Sequence, residues 1–196
     1  MLLALALALI VADATAAVPI WPVLTGPEQT KFDAGALVIR ADTSTEKTQS
    51  TGLVRVQAPL AVLWKAALDF PARLPENPTL RSVEEYGRNG PDDWFVKFRL
   101  SIYGISVVIH DHWICSPAET YCHFAMDPTR VSDVREEYGW LYARATPSGS
   151  EIAFHSAFIS DMWAPGWIRK WLANDSMVNV LDKLRVRAER TATSTH

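Results

Sequence analysis

From Asp93 to Ile159 the chain alternates apolar and polar residues with a period of two, segment after segment, and then changes period once. "DWFVKFRLSIYG" puts Trp94, Val96, Phe98, Leu100 and Ile102 on one face and Phe95, Lys97, Arg99 and Ser101 on the other. "ISVVIHDHWIC", "TYCHFAMD", "DVREEYGWLYARA" and "SEIAFHSAFIS" follow, separated by turn residues. A period of two is the mark of strands with one buried face. After residue 164 the period becomes helical: Trp167, Ile168, Trp171, Leu172, Val178, Leu181 and Leu184 fall along one side of a single long helix. Consecutive strands joined by short turns pair antiparallel. With the helices segregated from them, the class is α+β.

Upstream, "TGPEQTKFDAG" reads as a short helix, with Thr25 as N-cap, Glu28 three residues later and Gly35 as its stop. "ALVIRAD" and "TGLVRVQAP" read as two strands. Pro59 then opens a helix whose stripe is Leu60, Leu63, Trp64, Ala67 and Leu68. Pro71 ends it, and Pro75 and Pro78 keep the chain irregular until the strand "LRSVEEYG".

That opening resembles the START-like superfamily, which includes polyketide cyclases/dehydrases and coenzyme Q-binding proteins. The matching stretch is "VQAPLAVLWKAALDFPARLPENPTLRSVEE": a strand, Ala58-Pro59, Val62 and Trp64, Leu68-Asp69, and the proline-broken segment with Asn77-Pro78. "GWLYARATPSGSEIAFHSAF" is similar to that family's paired penultimate strands, and "APGWIRKWL" to the start of its final helix. The resemblance spans about residues 50–190. It implies a helix-grip fold, in which a curved antiparallel sheet of about six to seven strands wraps a long C-terminal helix and encloses an apolar cavity. The prolines would hold open a kinked wall or lid at 60–80. The resemblance thus implies a ligand-binding domain at 51–190; the rest of the chain is expected to divide into an export signal at 1–17, an N-terminal extension at 18–50 and a disordered tail at 191–196.

Register arithmetic selects cavity residues. A tight turn at Tyr103-Gly104 sets Ile102 opposite Ile105, and therefore Phe98 opposite Ile109, Val96 opposite Asp111 and Trp94 opposite Trp113. Apart from Asp111 this face is apolar, and it continues through Phe124 and Met126, so we assign it to the concave side. The expected lining is Trp64, Trp94, Val96, Phe98, Leu100, Ile109, Asp111, Trp113, Phe124, Tyr138, Trp140, Trp167, Trp171 and Val178. The reverse face carries Lys97, Arg99, His110, His112 and His123 and is expected to be wet. Of the eight tryptophans, Trp64, Trp94, Trp113, Trp140, Trp167 and Trp171 fall on expected core or cavity faces. Core filling is the commoner use of such residues, and in a helix-grip fold they would also line the pocket because the two surfaces coincide.

Two residues are candidates for acid/base work. Asp111 is the exception on the apolar face, where desolvation raises a carboxyl pKa; the alternative is a bulge that turns it to solvent. His155 shares a face with Tyr138, Trp140 and Tyr142, yet Ile152, Phe154 and Phe158 argue that the opposite parity points inward. "HDH" (residues 110–112) places two histidines on one face, but that face is the outer one and no H-E-x-x-H-type spacing accompanies it, so no metal is expected. No G-x-S-x-G, phosphate loop, C-x-x-C or dinucleotide fingerprint occurs, and no cofactor is expected.

"MLLALALALIVA" followed by "ATAA" is short for a membrane span, which needs about 20 apolar residues. It has the apolar run and A-x-A ending of an export signal, without a Lys or Arg ahead of it. The expectation is a periplasmic or secreted protein; a retained anchor is the alternative. Cys115 and Cys122 flank "SPAETY" and would face each other across a hairpin, either bonded in an oxidising compartment or packed as reduced thiols. The net charge of -3 offers no surface for nucleic acid. The expected partner is a hydrophobic small molecule such as a lipid, quinone or polyketide. The alternatives are a cyclase/aromatase-type enzyme acting in the same cavity and an interaction module whose own side chains fill it. "DMWAPGW" (161–167) reads as an apolar loop that gates the mouth or touches a membrane in passing.

Overall fold

The structure is a computed structural model; it describes residues 18–44, 47–159 and 166–194, with the side chains of 166–172 outside the description. Helix α1 (Gly26–Asp33) is followed by β1 (Val38–Asp42), β2 (Lys47–Val56) and α2 (Leu60–Leu68). A 3-10 turn (Pro71–Arg73) then leads to β3 (Leu80–Gly90), β4 (Asp93–Ile102), β5 (Ile105–Ser116), β6 (Tyr121–Met126), β7 (Glu136–Thr146), β8 (Gly149–Ile159) and α3 (Gly166–Thr193). The strands form one eight-stranded antiparallel sheet in the order β1-β2-β8-β7-β6-β5-β4-β3. Six to seven were expected; the N-terminal strand β1 supplies the extra edge. α3 continues to Thr193, into the segment expected to be a tail.

The β4–β5 hairpin has the expected register from Ile102↔Ile105 to Trp94↔Trp113. Tyr103 (φ 50°) and Gly104 (φ 84°) both sit in the left-handed region, as a two-residue hairpin turn requires. Cys115 pairs with Cys122 across β5 and β6, and the two form a disulfide.

α2 and α3 cover the concave face. Val54, Val56, Leu63, Ala67, Trp94, Val96, Trp113, Phe124, Leu141, Ala143, Ile152, Met177, Leu181 and Leu184 pack there into one core. The fit is close at Gly52, where a Cβ would lie 2.4 Å from Leu181 Cδ1 and 2.9 Å from Met177 Cγ. The inward stripe of α3 is therefore Ala173, Met177, Leu181, Leu184 and Ala188. Val178, expected in the cavity, lies one residue off that stripe and is 42% exposed.

A second cluster lies on the convex face: Phe32 of α1 with Val38, Leu53 and Ala153, flanked by Trp21, Leu24 and Trp140. The capping box at Thr25 and Glu28 starts α1 as expected, and Arg40 pairs with Glu28 to hold it to β1. Half of the sheet is thus buried on both sides.

Candidate functional site

The hinge after α2 supplies the centre of the site. Pro71 stops the helix, and Phe70, one residue earlier, is left pointing at the sheet, 5% exposed. Its ring meets Trp113, Phe98 and Trp94 edge-on at centroid distances of 5.0, 6.0 and 6.3 Å. Trp113 stacks on Phe124 at 4.2 Å, and Phe124 lies 5.9 Å from Phe154. Phe124 runs flat across Gly139, where a Cβ would sit 2.5 Å from its ring. Together these rings line the concave face from β4 to β8.

Polar groups enter this aromatic space from three directions. Arg73 of the 3-10 turn donates to the Ala67 carbonyl at 2.7 Å and lies over the Phe70 and Trp113 rings at 4.7 and 5.8 Å. Burial, then the nearby Arg187, holds its pKa down to about 10. Arg187 of α3 donates to Glu76 at 2.5 Å and to the Ala66 carbonyl at 2.8 Å, so it ties the hinge to the long helix. From the sheet come Asp111 of β5, 3% exposed, and Glu137 of β7. Burial, then the Glu137 carboxylate, pushes Asp111 well above the usual carboxylate range, with Trp113 and Arg73 pulling the other way. Burial alone raises Glu137 to about 7.

Among the described residues, six side chains carry a buried polar atom with no hydrogen-bond partner. Four belong to the concave face (Thr48 Oγ1, Asp111 Oδ1, Trp113 Nε1 and Glu137 Oε2), and a fifth, Arg187 Nε, belongs to the helix that covers it. The sixth, His110 Nδ1, is on the convex side. A pocket of about 190 Å³ opens between the hinge and the β3–β4 edge, lined by Leu68, Phe70, Pro71, Val83, Trp94 and Val96. Glu85 and Arg88 complete its wall, paired at 2.9 Å, with Arg88 above the Trp94 ring.

The expected lining divides. Trp94, Val96, Asp111, Trp113 and Phe124 are buried on the concave face, and Phe98 is half-buried beside them. Trp64 is half-buried on the flank of α2, where Leu63, Ala66 and Ala67 take the inner position. Leu100 and Ile109 share the parity but pack with Ile102 and Val107 in a separate cluster at the hairpin tip. Tyr138 and Trp140 are on the other face, because Leu141 pairs with Phe154 and Ala143 with Ile152 on the inner one. Trp167, Trp171 and the loop before them lie outside the described side chains.

His155 is corrected with them. It sits on the convex face, stacked on Trp140 at 5.6 Å with Nδ1 2.9 Å from Thr51 Oγ1, and burial followed by Lys47 lowers its pKa. The sheet separates it from Asp111, so the two candidates share no site. The convex face is also drier than expected: His112 is half-buried, stacked on Phe95 at 4.2 Å and 2.7 Å from Asp93. Phe70, Arg73, Glu137, Arg187 and Thr48 were not anticipated. The one signal for them in the sequence was two arginines and a glutamate beside apolar stripes.

No protein-family model matches the chain, and no curated protein matches it. Solved structures do. The ZhuI aromatase/cyclase from Streptomyces sp. R1128 superposes with a TM-score of 0.59 at 16% identity, over 78% of this chain and 95% of that one. A STAR-related lipid transfer protein from Xanthomonas axonopodis gives 0.63 at 12% identity, over 78% and 92%. Human STARD10 gives 0.61 at 11% identity, over 78% and 69%. An eight-stranded antiparallel sheet gripping its C-terminal helix, shared with proteins of this kind, means that the chain has the START-like helix-grip fold.

Proposed function

We propose that this protein binds one hydrophobic small molecule between the concave face, the hinge and α3. The observation that carries this is the set of unpartnered polar atoms inside an aromatic enclosure. Native interiors leave few polar groups unpaired, and each one left so costs about 1–3 kcal/mol. Four such atoms on the concave face, with Arg187 Nε on the helix that covers it, are explained by a guest that supplies missing partners. Burial of its apolar area, at about 25 cal/mol per Å², would drive binding. Similar folds whose names include lipid transfer and aromatase/cyclase support this class of ligand. Ligand sites commonly span about 300–1,000 Å³, more than the pocket at the β3–β4 edge, so occupation requires the hinge to lift from β3.

In this reading the apolar N-terminal run exports the chain to the periplasm or beyond, where the disulfide is stable, and residues 161–167 touch the membrane as ligand passes. Trp94 and Trp113 line the wall, so a brominated long-chain alcohol should quench tryptophan fluorescence saturably, at about one molecule per chain. Quenching that stays linear with concentration would count against an enclosed site.

A second reading is favoured by Asp111 alone: a cyclase-type reaction with this carboxyl as the acid/base. Asp111→Asn then abolishes turnover of a poly-carbonyl substrate while the bromo-alcohol still binds. An unchanged rate removes this reading.

A further inference from the structure

The polar groups of the concave face are ordered across the strands, Thr48 and Asp111 buried, Glu137 half-buried and Glu85 exposed. Following the register, Thr48 of β2 pairs with Phe158 of β8, and Phe158 with Glu137 of β7. Ala125 faces Tyr138, so one step along Met126 of β6 comes opposite Glu137. Met126 pairs with Asp111 of β5, Asp111 with Val96 of β4, and Val96 with Glu85 of β3. A single transverse row therefore reads Thr48, Phe158, Glu137, Met126, Asp111, Val96, Glu85, polar on every second strand. Successive polar positions are two strand spacings apart, about 10 Å. Three of them, Thr48, Glu137 and Asp111, carry the unpartnered atoms, and Thr48 and Asp111 are 1% and 3% exposed. The fourth, Glu85, is satisfied by Arg88 and ends the row at the edge pocket.

We propose that this row is the track of the ligand: an uncharged, elongated apolar molecule lies across the strands, and its carbonyl or hydroxyl oxygens take hydrogen bonds from Thr48, Glu137 and Asp111. The proposal rests on the ligand-binding reading above and specifies its chemistry. Phe158, Met126 and Val96 give the apolar body its contacts between the polar stations. The donors favour an acceptor. Trp113 Nε1–H can only donate, Thr48 can donate, and the two carboxyls donate while they hold their protons. Burial favours that protonated state for both. The charged group that acts on Asp111 from the hinge is Arg73, with Arg187 of α3, Asp69 and Glu76 acting on Arg73 in turn. Tyr86, across the sheet, also feels Asp111. Arg187 donates to Glu76 and to the Ala66 carbonyl with its Nε left unpartnered, and Arg73 donates to the Ala67 carbonyl and lies over two ring faces. Deprotonation of the pair removes donors and adds charge, so affinity should fall as pH rises through about 7.

The test uses three probes of one shape: fluorene, fluorenone and a fluorene carboxylate, titrated against residues 18–196 at pH about 5.5 and about 8.5. Fluorenone should bind about tenfold more tightly than fluorene at the lower pH, as one or two hydrogen bonds imply, and lose that advantage at the higher pH. Glu137→Gln combined with Asp111→Asn keeps donors in place, so the preference should persist and its pH dependence vanish. The corresponding double leucine variant should bind the two probes alike. Equal binding of fluorene and fluorenone by the native chain, or a preference for the carboxylate, overturns the row while leaving the apolar cavity. Failure of every probe, fluorene included, overturns the cavity and the row together. If the leucine variant does not fold, the glutamine–asparagine variant decides alone.

Discussion

A carboxyl such as Glu137, half-buried with one oxygen enclosed and unpartnered, gives up hydration at that oxygen without recovering a hydrogen bond. Its consequence for stability has a definite sign. Folded, Glu137 keeps its proton up to about pH 7; unfolded, it returns to the ordinary value of 4.5. Between those values the folded chain binds more protons than the unfolded one, so stability falls as pH rises across that window and is level outside it. Asp111, shifted the same way, adds to the slope. Thermal melts should therefore show a declining Tm from pH 4.5 to about 7 in the native chain and a shallower decline in Glu137→Gln. Parallel slopes in the two would mean that Glu137 does not keep its proton in the folded protein.

At the scale of elements, the covered convex face explains which expectations held. The β4–β5 hairpin was legible because its outer face is polar: alternation identified the buried side and Tyr103-Gly104 set the register. β7 and β8 were not, since Trp140 and Ala153 pack under α1 while Leu141 and Ile152 pack on the core. A strand buried on both faces has no polar side to mark it. Tyr138, Trp140 and His155 were drawn inward by that ambiguity. Val178 was misplaced because a helix stripe read from apolar residues alone can slip by one, and Met177 takes the inner position. If α1 is a structural cover, Phe32→Ala should cost about 3–5 kcal/mol in chemical denaturation, and leave bromo-alcohol quenching intact because the cavity is on the other side. Loss of quenching in a folded Phe32→Ala chain would show that the two faces are coupled.

Across the whole molecule, the order of strands and helices was readable and the chemistry of the interior was not. Thr48, Asp111 and Glu137 are separated by dozens of residues, and only the completed register puts them in one row. Arg73 and Arg187 likewise meet only once the hinge folds onto α3. What the assembled molecule presents is an aromatic face with polar stations, of which Thr48, Glu137 and Asp111 each carry one buried atom without a hydrogen-bond partner. The most direct test of that account is native mass spectrometry of residues 18–196, purified from its own compartment without detergent. The account predicts a single additional uncharged apolar mass on the folded protein, released by organic solvent. A protein that flies empty, and stays empty after incubation with oxygenated apolar compounds, would contradict it.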